Sequence, residues 1–104
     1  FKAMEYIRQN YMNNISLEDV AKATFLSPGY FSRLFKEEVS CSFVNYLNLV
    51  RVEESKKYLE KGEYTMADIA QLVGFEDQSY FTKVFKKIEG ISPGQYRKKK
   101  YGNG

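Results

Sequence analysis

A chain of 104 residues, 43% of them apolar and including nine Tyr and eight Phe, can bury one hydrophobic core without metals or disulfides. It has no histidine and one cysteine, which excludes an internal disulfide, the usual zinc sites and His-dependent acid-base chemistry. No apolar run is long enough to cross a membrane, and the N-terminus lacks a secretory signal pattern. For these two reasons we expect a cytoplasmic protein. With no nucleophile-base pair or metal set, we expect no enzymatic activity and no need for a cofactor or metal.

The formal net charge of +3 arises in the C-terminal part of the chain. Residues 1–64 carry nine basic and nine acidic groups, whereas residues 65–104 carry seven basic and four acidic groups. We therefore expect the basic surface to lie in the C-terminal part. For the run of lysines at 98–100 alone, a solvated and partly disordered tail is the expected structure.

The first element is predicted to be a short amphipathic helix over residues 1–11, with Met4, Ile7 and Tyr11 on one face. The chain starts abruptly at Phe1, and we expect it to have been cut from a longer protein. A sensor or oligomerisation domain would fit the missing part.

Residues 16–40 predict two short helices separated by a tight break. Ser16 and Asp19 resemble a capping box at the start of the first helix, and Ser27, which precedes a proline, marks the start of the second. Small Ala21 lies where the two helices would approach each other, a pattern typical of a helix-turn-helix unit. The buried face of the second helix is expected to consist of Phe31, Leu34 and Phe35.

Residues 42–62 are predicted to form one long helix that connects the first helix pair to the C-terminal part of the chain. Ser42 can cap its start, and Gly62 can end it. At 1.5 Å per residue, roughly 18 residues span about 27 Å, so this helix would act as a strut. Its buried stripe is expected to contain Phe43, Leu47, Val50, Ser55, Tyr58 and Leu59.

The C-terminal part, from residue 63 onward, repeats the layout of the first helix pair at an offset of 49 or 50 residues. Thr65 and Asp68 correspond to Ser16 and Asp19, and residues 80–86 correspond to residues 30–36. Two such copies joined by a long helix favour a protein whose two equivalent units contact a partner that has its own structural repeat.

The densest motif positions are Gly74-Phe75, Tyr80-Phe81, Phe85-Lys86-Lys87, Gly90, Ser92-Pro93 and Tyr96-Arg97. In this order and spacing the sequence resembles the C-terminal DNA-binding domain of AraC/XylS-type bacterial transcription regulators, from about residue 6 to residue 99. The resemblance implies an all-α domain of about seven helices, with two helix-turn-helix units joined by a long central helix. Its parts would be residues 1–41, the linker helix 42–62 and residues 63–104.

Helical spacing places polar side chains on the outward face of each second helix, opposite the apolar face. In the first copy this face carries Gly29, Ser32, Arg33 and Lys36, and in the second it carries Gln78, Ser79, Thr82, Lys83 and Lys86. Arg and Lys suit guanine, Gln suits adenine, and Ser or Thr adapts to several bases. For Gln78 or Ser79 taken alone an ordinary solvated residue is an equal alternative, whereas for Arg33 and Lys83 we favour function.

The resemblance assigns roles to these positions. Base contacts would be made by Gly29, Ser32, Arg33, Gln78, Ser79, Thr82 and Lys83. Phosphate contacts would be made by Lys86, Lys87, Ser92 and Arg97, to which the outward face adds Lys36. The two recognition helices would enter successive major-groove segments on one face of the DNA.

The resemblance also implies a transcription regulator, of a family that includes activators, whose main partner is promoter DNA. Such regulators often bind as dimers formed through the region missing here, and the resemblance allows contact with RNA polymerase. The alternative function from another class is a helical protein-protein interaction module, in which the same outward faces meet an acidic partner.

Three residues depart from the pattern or carry a separate expectation. Gly29 offers no side chain at a position where a larger one often makes contact, so the first helix-turn-helix unit would rely on Ser32 and Arg33 to contact bases. Ser40 stands where the second copy has Gly90, which predicts a strained or different helix end. Cys41 corresponds to Ile91, so a small buried thiol is expected.

Overall fold

The computed structural model describes residues 2–100, in which all regular secondary structure is helical. This confirms the predicted all-α fold of about seven helices. None of the helices in this part of the chain is both long and apolar enough to cross a membrane. The helices are α1 (Lys2–Asn10), α2 (Leu17–Ala23), α3 (Pro28–Val39), α4 (Phe43–Lys61), α5 (Met66–Leu72), α6 (Gln78–Glu89) and α7 (Pro93–Lys100).

Local capping sets where most of these helices begin, as the sequence predicts. The Ser16 hydroxyl accepts the Asp19 N–H at 3.1 Å, while Asp19 Oδ2 accepts the Ser16 N–H at 2.9 Å. The bond from the Ser16 N–H to the carboxylate is the largest of the effects that hold the pKa of Asp19 below its ordinary value. Ser92 and Gln95 form the same reciprocal pair at α7, with distances of 2.9 and 3.1 Å. Single caps are supplied to α3, α4 and α5 by Ser27, Ser42 and Thr65.

The chain divides into two compact units, Phe1–Val50 and Arg51–Gly104, with the division inside α4. The first unit packs α1, α2, α3 and the first half of α4 around one aromatic cluster. Phe31 and Phe35 are fully buried, with ring centroids 5.5 Å apart, and Phe43 and Tyr46 pack edge-on against Phe35 at 6.3 and 5.6 Å. Ala21 is also fully buried, as the predicted close approach of α2 and α3 requires.

The second unit contains α5, α6, α7 and the second half of α4, and its core has the same construction. Phe81 and Phe85 are fully buried with centroids 5.8 Å apart, and Phe75 packs against Phe81 at 5.3 Å. Ile69 and Ala70 of α5 are buried at the positions that correspond to Val20 and Ala21. The repeat in the sequence is therefore a repeat of packing.

A polar network ties together three helices of the second unit. Lys56 Nζ lies 3.0 Å from both Glu53 Oε2 and Glu89 Oε2. Burial alone would lower the pKa of Lys56, but the hydrogen bonds and Coulombic attraction from Glu89 and Glu53 together outweigh that effect and raise it. The Tyr96 hydroxyl donates to Glu60 Oε2 at 2.6 Å, and burial together with this bond raises the pKa of Tyr96 to about 12.

Equivalent left-handed backbone positions occur in both units. Ser40 ends α3 at φ 68° and Gly90 ends α6 at φ 84°, which confirms the expected strain at Ser40. The turn between the two helices of each unit holds a second pair, Phe25 at φ 61° and Gly74 at φ 103°. The sequence analysis did not predict the left-handed Phe25, because phenylalanine gives no signal for that conformation.

Several predictions of burial were wrong in degree. The expected burial of Leu34 and Cys41 is only partial, and Cys41 packs against the first unit's core from its edge. The α4 stripe also includes buried polar residues that the apolar pattern missed. Asn48 and Arg51 are 9% and 8% exposed, and the Arg51 guanidinium lies over the Phe75 ring at 5.6 Å. Burial lowers the pKa of Arg51.

The two ends of the chain also differ from expectation. In α1 the fully buried residues are Ala3 and Ile7, while Met4 and Tyr11 are only partly buried against the core. Residues 98–100 were expected in a partly disordered tail but form the exposed last turn of α7. Phe1, with which the first predicted helix begins, lies outside the described residues.

Candidate nucleic-acid interface

The first candidate surface is the outward face of α3. Phe31 and Phe35 are fully buried, and a helix turns by about 100° per residue, so the positions on the opposite side of α3 must face away from the core. The four predicted residues of this face are all exposed: Gly29, Ser32, Arg33 and Lys36. Helix α3 therefore presents two cations and one hydroxyl on a face that takes no part in packing.

Arg33 has one intramolecular contact in the described residues. Its guanidinium carbon lies over the ring of Tyr30, 5.7 Å from the centroid. Tyr30 is one turn earlier on α3 and is 47% exposed. The N–H groups of Arg33 have no hydrogen-bond partner in residues 2–100, so they are available to an external acceptor.

Gly29 leaves open space at the beginning of this face. A Cβ added there would meet no heavy atom within 4 Å. The absence of a side chain is therefore not required by packing, and Ser32 and Arg33 are the side chains through which this part of α3 can reach a partner.

The second candidate surface is the outward face of α6. Phe81 and Phe85 are fully buried, and Asp77 caps the helix by accepting the Tyr80 N–H at 2.7 Å. Thr82 is half-buried, while the other members predicted for this face are exposed: Gln78, Ser79, Lys83 and Lys86. Lys87, predicted separately as a phosphate contact, is exposed as well. This face differs from that of α3 because it has an amide, and α6 carries a further exposed lysine.

Sequence reasoning missed two residues that shape these surfaces. Asp77 was not identified as the α6 cap, although an aspartate directly before a helical pattern is a standard signal. Tyr30 was noted only as part of the repeat, although its spacing of three residues from Arg33 places the two side chains on adjacent turns.

The remaining predicted phosphate contacts already have partners within the second unit. The Ser92 hydroxyl accepts the Gln95 N–H at 3.1 Å and keeps its own proton to donate. Arg97 Nε donates to the Leu59 carbonyl at 3.2 Å, and Arg97 Nη2 donates to the Tyr64 carbonyl at 2.6 Å. Arg97 thus binds one carbonyl in the last turn of α4 and one in the segment that follows, which Lys86 and Lys87 do not do.

Comparison with known proteins agrees with this arrangement. Residues 20–99 match a family model described as a helix-turn-helix domain. The chain is 37% identical over 98 residues to the uncharacterized HTH-type transcriptional regulator YisR of Bacillus subtilis, covering 94% of this chain and 34% of that protein. It is 38% identical over 96 residues to the regulatory protein PocR of Salmonella typhimurium, covering 92% and 32%.

A solved structure shows the same fold. The C-terminal domain of AraT, a response regulator from Geobacillus stearothermophilus, superimposes with a TM-score of 0.87 at 38% identity, over 92% of this chain and 80% of that chain. The chain spans about a third of the length of the curated relatives YisR and PocR. These findings confirm the resemblance: the chain belongs to the AraC-type helix-turn-helix family of DNA-binding domains found in bacterial transcription regulators.

Proposed function

We propose that α3 and α6 are the recognition helices with which this domain reads specific promoter DNA. The observation that carries the proposal is the repeated construction of these helices. Each has a fully buried Phe pair on one face, and each presents a cation at the same repeat position on the exposed face, Arg33 in α3 and Lys83 in α6. A polar helix face held rigidly by an aromatic core is suited to insertion into a major groove.

We further divide the exposed side chains by role. The proposed base contacts are those near the helix beginnings and centres: Gly29, Ser32, Arg33, Gln78, Ser79, Thr82 and Lys83. The proposed phosphate contacts are Lys36, Lys86 and Lys87, with Ser92 through its free hydroxyl proton. Arg97 is the weakest member of the phosphate set, because two of its N–H groups already bind carbonyls.

The wider setting is also a proposal. A cytoplasmic regulator would join this domain to an N-terminal sensor or dimerisation region, activate transcription, and meet RNA polymerase at the promoter. The domain itself would have no enzymatic activity. The relatives support the regulatory role, since their names describe an HTH-type transcriptional regulator and a regulatory protein, and most of their length lies outside the matched part.

Binding to selected DNA tests the proposal directly. The parent protein would be used to select a preferred duplex from a randomised pool, and its affinity for that duplex and for a scrambled one would be measured by fluorescence anisotropy over a range of salt concentrations. We expect Arg33→Ala to lower affinity for the selected duplex about tenfold or more, since a bidentate arginine-guanine contact discriminates by about 1–3 kcal/mol. Binding to the scrambled duplex should change little.

Lys87→Ala should behave differently, because a phosphate contact is independent of sequence. We expect weaker binding to both duplexes and a log-log salt slope smaller by about 0.9. Lys57→Ala is the matched control, since it removes the same charge from an exposed α4 lysine that pairs with Glu54. A parent protein that selects no duplex, or a Lys57→Ala loss equal to that of Lys87→Ala, would contradict the proposal and favour the protein-interaction alternative.

A further inference from the structure

The two units use the same repeated tyrosine in different ways. Tyr30 and Tyr80 occupy corresponding positions and are 47% and 45% exposed. Tyr80 packs edge-on against the buried Phe75 at 5.8 Å. The first unit has Leu26 in place of Phe75, and there the Tyr30 ring lies beneath the Arg33 guanidinium instead.

This contact can hold Arg33 in place without consuming its hydrogen-bonding capacity. A cation over an aromatic ring is attracted by the electron-rich face, and the attraction needs no hydrogen-bond acceptor. Arginine has five N–H donors and about 2 kcal/mol of side-chain rotamer entropy to lose on binding. A ring that restricts the side chain beforehand reduces that loss while leaving the donors free.

We infer that Tyr30 is a positioning residue, which orients the Arg33 guanidinium for bidentate contact with a guanine. The inference rests on the proposed function and adds a specificity determinant to it. The second unit lacks a corresponding cation-aromatic contact at this position, because Lys83 contacts no aromatic ring in residues 2–100. The first unit therefore discriminates more sharply at its cation than the second unit does at Lys83.

The test compares variants of Tyr30 on two duplexes: the selected duplex, and the same duplex changed at the base pair where Arg33→Ala loses discrimination. The ratio of the two affinities measures discrimination. Tyr30→Leu should lower this ratio about two- to fivefold, as expected for an exposed cation-aromatic contact. Tyr30→Phe keeps the ring and should keep the ratio, because the Tyr30 hydroxyl has no hydrogen-bond partner in the described residues.

A double-mutant cycle separates positioning from direct contact. If Tyr30 acts through Arg33, Tyr30→Leu should have no further effect on discrimination in the Arg33→Ala background. Tyr80→Leu is the matched control and should leave the ratio at this base pair unchanged. Thermal unfolding of each variant checks that the domain remains folded.

Three results would overturn the inference: an unchanged ratio in Tyr30→Leu, an equal loss in Tyr30→Phe, or a full additional loss in the Arg33→Ala background. These results differ from failure of the proposed function. In that case the parent protein itself would show no preference between duplexes, whereas here the parent and Arg33→Ala would still differ.

Discussion

Replacement of Ser40 by glycine should stabilise the first unit, because Ser40 ends α3 in a left-handed conformation at φ 68°. A non-glycine residue in this conformation costs about 1–2 kcal/mol. Its backbone N–H donates to the Lys36 carbonyl at 2.9 Å, a bond that glycine retains. The exposed serine hydroxyl has no hydrogen-bond partner in the described residues, so its removal sacrifices nothing.

The net gain is smaller than the strain because glycine has more freedom to lose on folding. That entropy difference is about 0.5–1 kcal/mol, so we expect the free energy of unfolding to rise by about 0.5–1 kcal/mol. For a domain of this size the midpoint of thermal unfolding should rise by about 2–8 °C. Urea and thermal unfolding followed by circular dichroism would measure both quantities.

The second unit supplies the reverse substitution as a control. Gly90 ends α6 at φ 84°, and a Cβ there would meet no atom within 4 Å. Gly90→Ser should therefore introduce no steric clash and should destabilise by the same balance of backbone strain and entropy, an amount similar to the gain in Ser40→Gly. If both substitutions lower stability, the left-handed conformation is not what distinguishes these positions and the reasoning fails.

Two further predictions concern tyrosine hydroxyls. The Tyr46 hydroxyl is buried without a hydrogen-bond partner in residues 2–100. Tyr46→Phe should therefore raise the free energy of unfolding, measured by urea denaturation, by about 1 kcal/mol or more. A decrease would show that the Tyr46 hydroxyl is hydrogen-bonded in solution. Folding raises the pKa of Tyr96 from 10.0 to about 12, so its contribution to stability is complete below pH 10 and disappears as the pH rises to about 12. The stability difference between the parent and Tyr96→Phe should shrink over that interval, and a constant difference would contradict the raised pKa of Tyr96.

The sequence by itself determined the helices, their caps and the repeat. Capping pairs such as Ser16 with Asp19 join residues three apart, and the burial of Phe31 and Phe35 follows from helical spacing. These signals involve residues only a few positions apart, so they can be recognised in the sequence alone. The outward positions of Arg33 and Lys83 follow from the same periodicity, which is why the exposed members of the candidate interface could be predicted.

Only the tertiary structure decided how side chains that are distant in sequence are used. Arg97 binds carbonyls 38 and 33 residues away, and the buried Arg51 lies over the Phe75 ring. Such outcomes depend on which groups meet when helices pack, and a long charged side chain can serve equally well in solvent, against a ring or on a carbonyl. The periodic pattern therefore separates buried from exposed faces, while the role of each arginine is decided by its neighbours in space.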